Sequence, residues 1–378
     1  MRVLALASYP VEAAATRYRL EQFVAPLAER GIKMMVCPFL DSELYASLYW
    51  RQRMPRTAVL GLARSALWRL GDVLKAREAD VLLVQREAMM FGPPLIEWLA
   101  TRVGRCPMVL DLDDATYIKY RNPAYGWLGR TLKWFGKTDD LIRRARVVTC
   151  GNRSIAEYVA STGGRAYIIP TVVDTERFRP ASAKREAAGP LVLGWIGTRS
   201  TYPYLESIFP ALEQLARSYR FRLKVVGAGR KEINLSGVEV ESLDWSLNRE
   251  IEDFQSLDIG LYPINARLYA DQWAAGKSGF KAIQYMAVGI PYVVTPVGVC
   301  AEIGEPNVTH LFASTQDEWR EALESLLTNR ERRERMGHRG RLHATEHYTV
   351  PAQADKLARA LHEAVDENVL KDTRRSRS

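Results

Sequence analysis

Three observations lead to an α/β architecture of two Rossmann-like domains facing across a cleft. Short β-branched runs alternate with longer helical patterns along most of the chain. The alternation restarts near Leu191, after the polar stretch 180–189. At 378 residues there is room for two hydrophobic cores. Alternation of this kind implies parallel sheets wrapped by helices, with a ligand crevice at the carboxyl ends of the strands. The expected domains are residues 1–180 and 190–345.

The elements follow in order. Met1–Ala7 is too short an apolar run for a signal peptide and reads as a first strand over Val3–Ala7. A helix is expected from Tyr18 to Arg30, with Gly31 as its cap. Met34–Cys37, Val81–Gln85, Met108–Leu112, Val147–Cys150 and Ala166–Ile169 are the next strands of the first half. The second half repeats the rhythm with Leu191–Ile196, Arg222–Val226, Val238–Glu241, Ile259–Tyr262 and Tyr292–Thr295.

Composition narrows the class. The chain is 47% hydrophobic and 26% charged, as in ordinary globular proteins. Its four cysteines, Cys37, Cys106, Cys150 and Cys300, have no CxxC or His-rich spacing, which implies reduced buried thiols in a cytoplasmic protein and no structural zinc. No apolar stretch reaches the roughly 18 residues of a membrane span. The net charge of +9 is uneven. Residues 1–178 carry 26 Lys and Arg against 18 Asp and Glu, and the remainder 27 against 26. Between Arg51 and Arg77 stand Arg51, Arg53, Arg56, Arg64, Arg69, Lys75 and Arg77 against the single acid Asp72. An anionic partner for the first half is implied.

Three stretches of the second half carry candidate chemistry. In "LGWIGTRST" a buried strand ends at Gly197, and Thr198 and Arg199 open a polar turn before a helical run, a setting that suits a phosphate. In "VVGAGR" Gly227 and Gly229 let the backbone approach a ligand, although no GxGxxG fingerprint is present. In "GKSGFKAIQYMAVGIP" a glycine-containing turn leads into a helix over Phe280–Val288. Lys277 and Lys281 are four apart and Gln284 lies three residues further, so they share one face once helical geometry begins. Two ammonium groups and an amide beside a helix start match a diphosphate and a vicinal diol. Ordinary surface lysines and an ordinary strand-to-helix turn are the alternatives.

These stretches, with "IIPTVVDTERFRP" (168–180), "DFQSLDIGLYPI" (253–264), "AATRYRLEQF", "LLVQREAMMFGPPL" and "MVLDLDDATY", resemble glycosyltransferases of the GT-B fold, in the large retaining family 4. The resemblance implies a nucleotide-sugar donor, a glycan or polyprenyl-linked acceptor, no cofactor and no required metal. It implies a hexosyltransferase-type role in surface polysaccharide or glycolipid synthesis. Arg199, Lys277 and Lys281 would stabilise charge on the departing diphosphate. Gly197, Thr198, Gly227, Gly229, Pro263, Ser278, Gly279 and Phe280 would line the donor. Gln284 stands where many members carry the second glutamate of an E-x7-E pattern, and Gly276 replaces the first. Asp271 is the substitute carboxylate considered. A nucleotide-sugar epimerase of the same fold and a non-catalytic binding subunit are the competing readings, the second favoured by Gly276.

In the first half, Thr16, Arg17, Arg19, Glu87 and Asp114 are expected to meet the acceptor. Asp111-Leu112-Asp113-Asp114 looks like a metal-binding DxD motif but is read as metal-free. Asp111 and Asp113 are candidates for contacting the acceptor hydroxyl or the anomeric centre, against a structural role in an acidic loop. Leu60, Ala63, Leu67, Leu70 and Leu74 fall at helical spacing, with Arg64, Lys75 and Trp68 beside them. "YGWLGRTLKWFGK" adds Trp127, Arg130, Lys133, Trp134, Phe135 and Lys137. These segments are expected either at an anionic membrane face, giving a peripheral protein on the cytoplasmic side, or against the domain core. No nucleic-acid-binding module is recognised. The fold also implies a C-terminal helix over 346–370 that crosses back onto the first domain, and 371–378 is expected to be disordered.

Overall fold

A computed structural model describes residues 1–50, 56–118, 134, 136–182, 189–265 and 276–375. Two compact units make up the chain: Met1–Thr171 with Val350–Ser378, and Val172–Thr349.

The first unit is built on six strands: β1 Arg2–Ala7, β2 Lys33–Pro38, β3 Val81–Gln85, β4 Met108–Leu112, β5 Val147–Cys150 and β6 Ala166–Ile168. All pair in parallel, in the order β2-β1-β3-β4-β5-β6. β3, β4 and β5 are buried throughout, as unbroken apolar runs in a doubly covered sheet must be. The second unit repeats the plan with β7 Leu191–Ile196, β8 Phe221–Val226, β9 Glu239–Leu243, β10 Ile259–Tyr262, β11 Tyr292–Val294 and β12 His310–Phe312. Its order is β12-β11-β10-β7-β8-β9, again parallel. Leu193, Trp195, Leu212, Leu223, Val225 and Ile259 pack in its core. β12 has only three residues and no alternation to betray it in the sequence.

Four expectations need correction. The boundary falls after Thr171 and not in the polar stretch 180–189. The reason is packing: Arg341 Nη1 donates to the carbonyls of Thr175, Phe178 and Ala287 at 2.7–2.8 Å. Gln255 donates to the carbonyl of Arg179, and Phe178 meets Phe254 edge-on. The helix expected over Tyr18–Arg30 is broken into Ala14–Arg19, a 3-10 turn Glu21–Phe23 and Val24–Glu29. Pro26 cannot donate to the Gln22 carbonyl four residues back, and its ring crowds that turn. The last helix runs Val350–Arg375, so 371–375 are helical and the start lies later than 346. Tyr348 leaves helical geometry, while no Gly or Pro interrupts the chain from Ala352 to Arg375. Finally, the helix beginning at Phe280 ends at Ala287, one residue early.

The last helix belongs to the first unit through specific contacts. Arg30 Nε lies 2.7 Å from Asp355 Oδ1, and Arg165 and the Tyr167 hydroxyl meet Glu363. Among the described residues, no helix is long and apolar enough to cross a membrane. The four cysteines are buried and unpaired.

Candidate functional site

The strand order of the second unit reverses between β7 and β10, the switch point at which open parallel sheets hold ligands. Leu193 pairs with Ile259 and Gly194 with Gly260, and the pairing stops there, before the carboxyl ends of the two strands. The glycines in the strands admit large neighbours. A Cβ at Gly260 would lie 2.6 Å from the ring of Tyr285. The buried Tyr285 hydroxyl sits 3.1 Å from the carbonyl oxygens of both Gly194 and Leu261. It thereby seats the helix Phe280–Ala287 across both strands. Sequence reading missed Tyr285; Gly260, which makes room for its ring, was the available signal.

The loops after β7 and β8 touch. Gly197 N–H donates to the Val226 carbonyl at 3.0 Å. Gly227 has φ +83°, and a Cβ there would stand 2.3 Å from the Gly197 carbonyl oxygen, so only glycine fits. Gly229 has φ +65°, and the Arg199 stem runs beside it, with Cδ 3.4 Å from the position of a Cβ. Arg199 is exposed and makes no ion pair among the described residues. The expected helix-start amides are less available. Thr198 N–H donates to Thr201 Oγ1 at 3.1 Å, and the following helix, Tyr202–Glu206, is only five residues long. Positive charge at this loop therefore rests on Arg199 more than on backbone dipoles.

The third cluster opens the helix Phe280–Ala287. Gly279 takes φ +64° as its N-cap, and a Cβ would strike Ile303 Cδ1 at 2.2 Å. Lys281 Nζ donates to Gln284 Oε1 at 2.9 Å and lies 5.3 Å from the Phe254 ring centroid. Gln284 is wholly buried, and its Nε2 has no hydrogen-bond partner among the described residues. A buried amide with one unmatched donor stands ready for an acceptor oxygen. Lys277 lies close enough to the Cys300 thiol to act on it electrostatically. Burial nevertheless pushes that thiol up to about 12, so it is inert at neutral pH. Ser278 is half-buried, and Gly276, Pro263 and Phe280 are buried. Asp271 lies outside the described residues.

The first unit uses its charges differently. Arg19, on the helix Ala14–Arg19, grips Asp111 at the end of β4 with two bonds of 3.0 and 2.5 Å. Thr149 Oγ1 donates to the same carboxylate at 2.6 Å. Arg19 Nη1 also donates to the Ile169 carbonyl at 2.5 Å. Asp111 is 3% exposed. It is thus a buried counter-ion, which corrects its assignment as catalytic, and Arg19 is corrected from acceptor contact to its partner. Asp113 is likewise held by Arg86, at 2.5 and 2.7 Å, and by Gln85 Nε2 at 3.2 Å. Burial alone would raise the Asp113 carboxyl, but the Arg86 guanidinium overrides it and holds the group below the usual carboxylate range. Asp113 too is an internal counter-ion where a catalytic group was expected. Arg86 reaches it from a left-handed backbone at φ +61°.

The remaining acceptor candidates divide. Thr16 is wholly buried and donates to the Tyr9 carbonyl at 2.7 Å, so it is corrected to a loop brace. Arg17 Nη1 donates to the carbonyls of Val11 and Glu12. Glu87 and Asp114 keep partial exposure, the first 3.6 Å from Lys137 and the second 3.9 Å from Arg86. Lys137, expected either at a membrane face or against the domain core, is buried between Glu87 and Glu97 and donates to the Met89 carbonyl at 2.8 Å. Trp127, Arg130, Lys133 and Phe135 lie outside the described residues, as do Arg51 and Arg53; Trp134 is exposed. The leucine stripe does not face the core: Leu60, Leu67, Leu70 and Leu74 are all exposed.

Two parallel six-stranded Rossmann-like sheets, the second with a glycine- and cation-lined switch point, define a protein of the GT-B fold. Residues 210–359 match the family model described as glycosyl transferase-like. The chain is similar to Anabaena HepE in complex with UDP-glucose, at a TM-score of 0.67 and 15% identity over 96% of this chain and 99% of that one. It is similar to sucrose-phosphate synthase from Thermosynechococcus elongatus, at 0.67 and 13% over 96% and 98%. A glycosyltransferase from Rickettsia africae gives 0.68 and 11% over 96% and 98%. No curated protein matches the sequence significantly.

Proposed function

We propose that the chain is a retaining, metal-independent glycosyltransferase of family 4, moving a hexose from a nucleotide sugar to a glycan or polyprenyl-linked acceptor. The observation that carries this is the second unit's switch point. There the Gly197, Gly227 and Gly229 loops meet Arg199, and Lys281 and the buried Gln284 amide open the helix that Tyr285 locks over β7 and β10. Arg199, Lys277 and Lys281 supply the charge that a departing diphosphate needs, in the place a metal would take. The unmatched Gln284 Nε2 is assigned to a donor hydroxyl or phosphate oxygen. Asp271 is retained as the candidate substitute for the carboxylate that Gly276 lacks. Glu87 and Asp114 are the remaining acceptor candidates of the first unit. The reaction is placed at the cytoplasmic face of a membrane, in surface polysaccharide or glycolipid synthesis.

The HepE complex makes UDP-glucose the first donor to try. Incubation of the whole chain with a panel of nucleotide sugars should release nucleotide slowly even without acceptor. Interconversion of the sugar would replace this reading with an epimerase. Binding without turnover would leave a non-catalytic subunit, the reading that Gly276 favours.

A further inference from the structure

The helix Arg56–Lys75 is apolar on both sides: it buries Ala58 and Val73 against its own unit and leaves a row of leucines exposed. On the side facing its own unit it carries Arg69 and Asp72, both buried and paired at 2.9 Å. Arg69 also donates to the carbonyls of Cys37 and Ala7, at 2.8 and 2.7 Å, near the carboxyl ends of β2 and β1. This polar clamp, together with the apolar packing of Ala58 and Val73, seats the helix. The opposite face is apolar: Leu60 is 75% exposed, Leu67 68%, Leu74 57% and Leu70 48%, with Val59 alongside. At about 100° per residue these side chains occupy one continuous arc, flanked on one side by Arg64, Lys75 and Trp68. The outward face of a helix in a globular protein is ordinarily polar, and an outward leucine stripe marks an interaction surface.

The surroundings identify the partner. The helix Leu95–Gly104 packs beside this one and exposes Leu95 and Trp98. On each helix an arginine stacks over an exposed tryptophan: Arg64 lies 4.7 Å from the Trp68 ring centroid and Arg102 5.0 Å from that of Trp98. Twelve of the fourteen exposed large apolar side chains among the described residues lie in this unit, six of them on the one helix. A leucine face edged by tryptophan and cations suits the boundary between acyl chains and anionic headgroups. A protein partner would not require the excess positive charge of the first half.

We propose that the outward face of the helix Arg56–Lys75 lies in the plane of an anionic lipid surface and docks the first unit there. This deepens the placement of the reaction at a membrane, but the test needs no sugar, so its failure is separable from that of the donor assignment. The full chain is floated with vesicles of mixed phosphatidylglycerol and phosphatidylcholine, and with phosphatidylcholine alone. The wild type should float with the mixed vesicles and much less with the neutral ones. The triple variant Leu60→Ser, Leu67→Ser, Leu74→Ser should lose binding by about tenfold or more, with unchanged circular dichroism and thermal midpoint, because these side chains support no core. Failure of the wild type to float, or equal flotation of the variant, overturns the proposal. So does a dimer in sedimentation that the variant dissociates without any vesicle binding, which would make a second copy the occupant.

Discussion

The carboxyl ends of the two sheets offer the same scaffold and handle positive charge in opposite ways. In the first unit Arg19 and Arg86 are matched by Asp111 and Asp113 in buried or half-buried bidentate pairs. In the second, Arg199 meets no carboxylate among the described residues, and Lys281 spends a hydrogen bond on the neutral Gln284 amide. A cation with a built-in counter-ion stabilises a fold, because an incoming anion would have to displace a partner already paid for in desolvation. A cation held by an amide or lying along a glycine loses little by turning to a phosphate.

The difference can be broken from either side. The largest effect is expected for Asp111→Ala, which strands the buried Arg19 guanidinium. Chemical denaturation should show a loss of about 3–5 kcal/mol, while nucleotide affinity measured by calorimetry on the folded protein stays the same. A change in affinity would return Asp111 to the binding site.

Next comes His310, in β12, stacked on Tyr292 with ring centroids 5.0 Å apart. Burial, with a smaller push from His343, lowers its pKa from 6.5 to about 4. Its Nε2 has no hydrogen-bond partner among the described residues. The unfolded chain takes up this proton below pH 6.5 and the folded chain only near 4. Stability should therefore fall as pH drops through that window, by about 3 kcal/mol in all. His310→Phe should flatten this part of the curve when denaturation is followed against pH, and an unchanged slope would remove His310 from the account.

Lys281→Ala should weaken nucleotide-sugar binding by about 1.5–3 kcal/mol, about tenfold to a hundredfold, with little change in melting temperature. Equal affinity in titration calorimetry would end the phosphate assignment. Arg330→Ala should do almost nothing. Its pair with Glu334 is well exposed at 3.1 Å, and such i,i+4 pairs contribute about 0.3–0.5 kcal/mol. A larger loss on thermal melting would mean that exposed pairs in the second unit carry weight the comparison denies them.

Much of this organisation is legible residue by residue. Eleven strands show as β-branched runs, and Gly197, Gly227 and Gly279 mark turns that later prove closed to any Cβ, while Gly229 marks one with a left-handed backbone. The clustering of Lys281 with Gln284 follows from helical spacing alone. The acidic run at 111–114 misled, since the arginines that neutralise it stand 92 and 27 residues away, beyond any local pattern. Tyr285 was hidden for a similar reason: its hydroxyl finds carbonyls on two strands that only parallel pairing makes neighbours.

The chain's own order of residues settles where strands and helices form, where glycine is obligatory and which half is basic, because each depends on neighbours within a few positions. Which carboxylates are spent on internal arginines, and which way the leucine stripe of Arg56–Lys75 points, emerge only on folding. Periodicity defines a helix face without saying what it will meet. That choice went to the buried Arg69–Asp72 clamp and to Ala58 and Val73, which face inward and leave the four leucines outside.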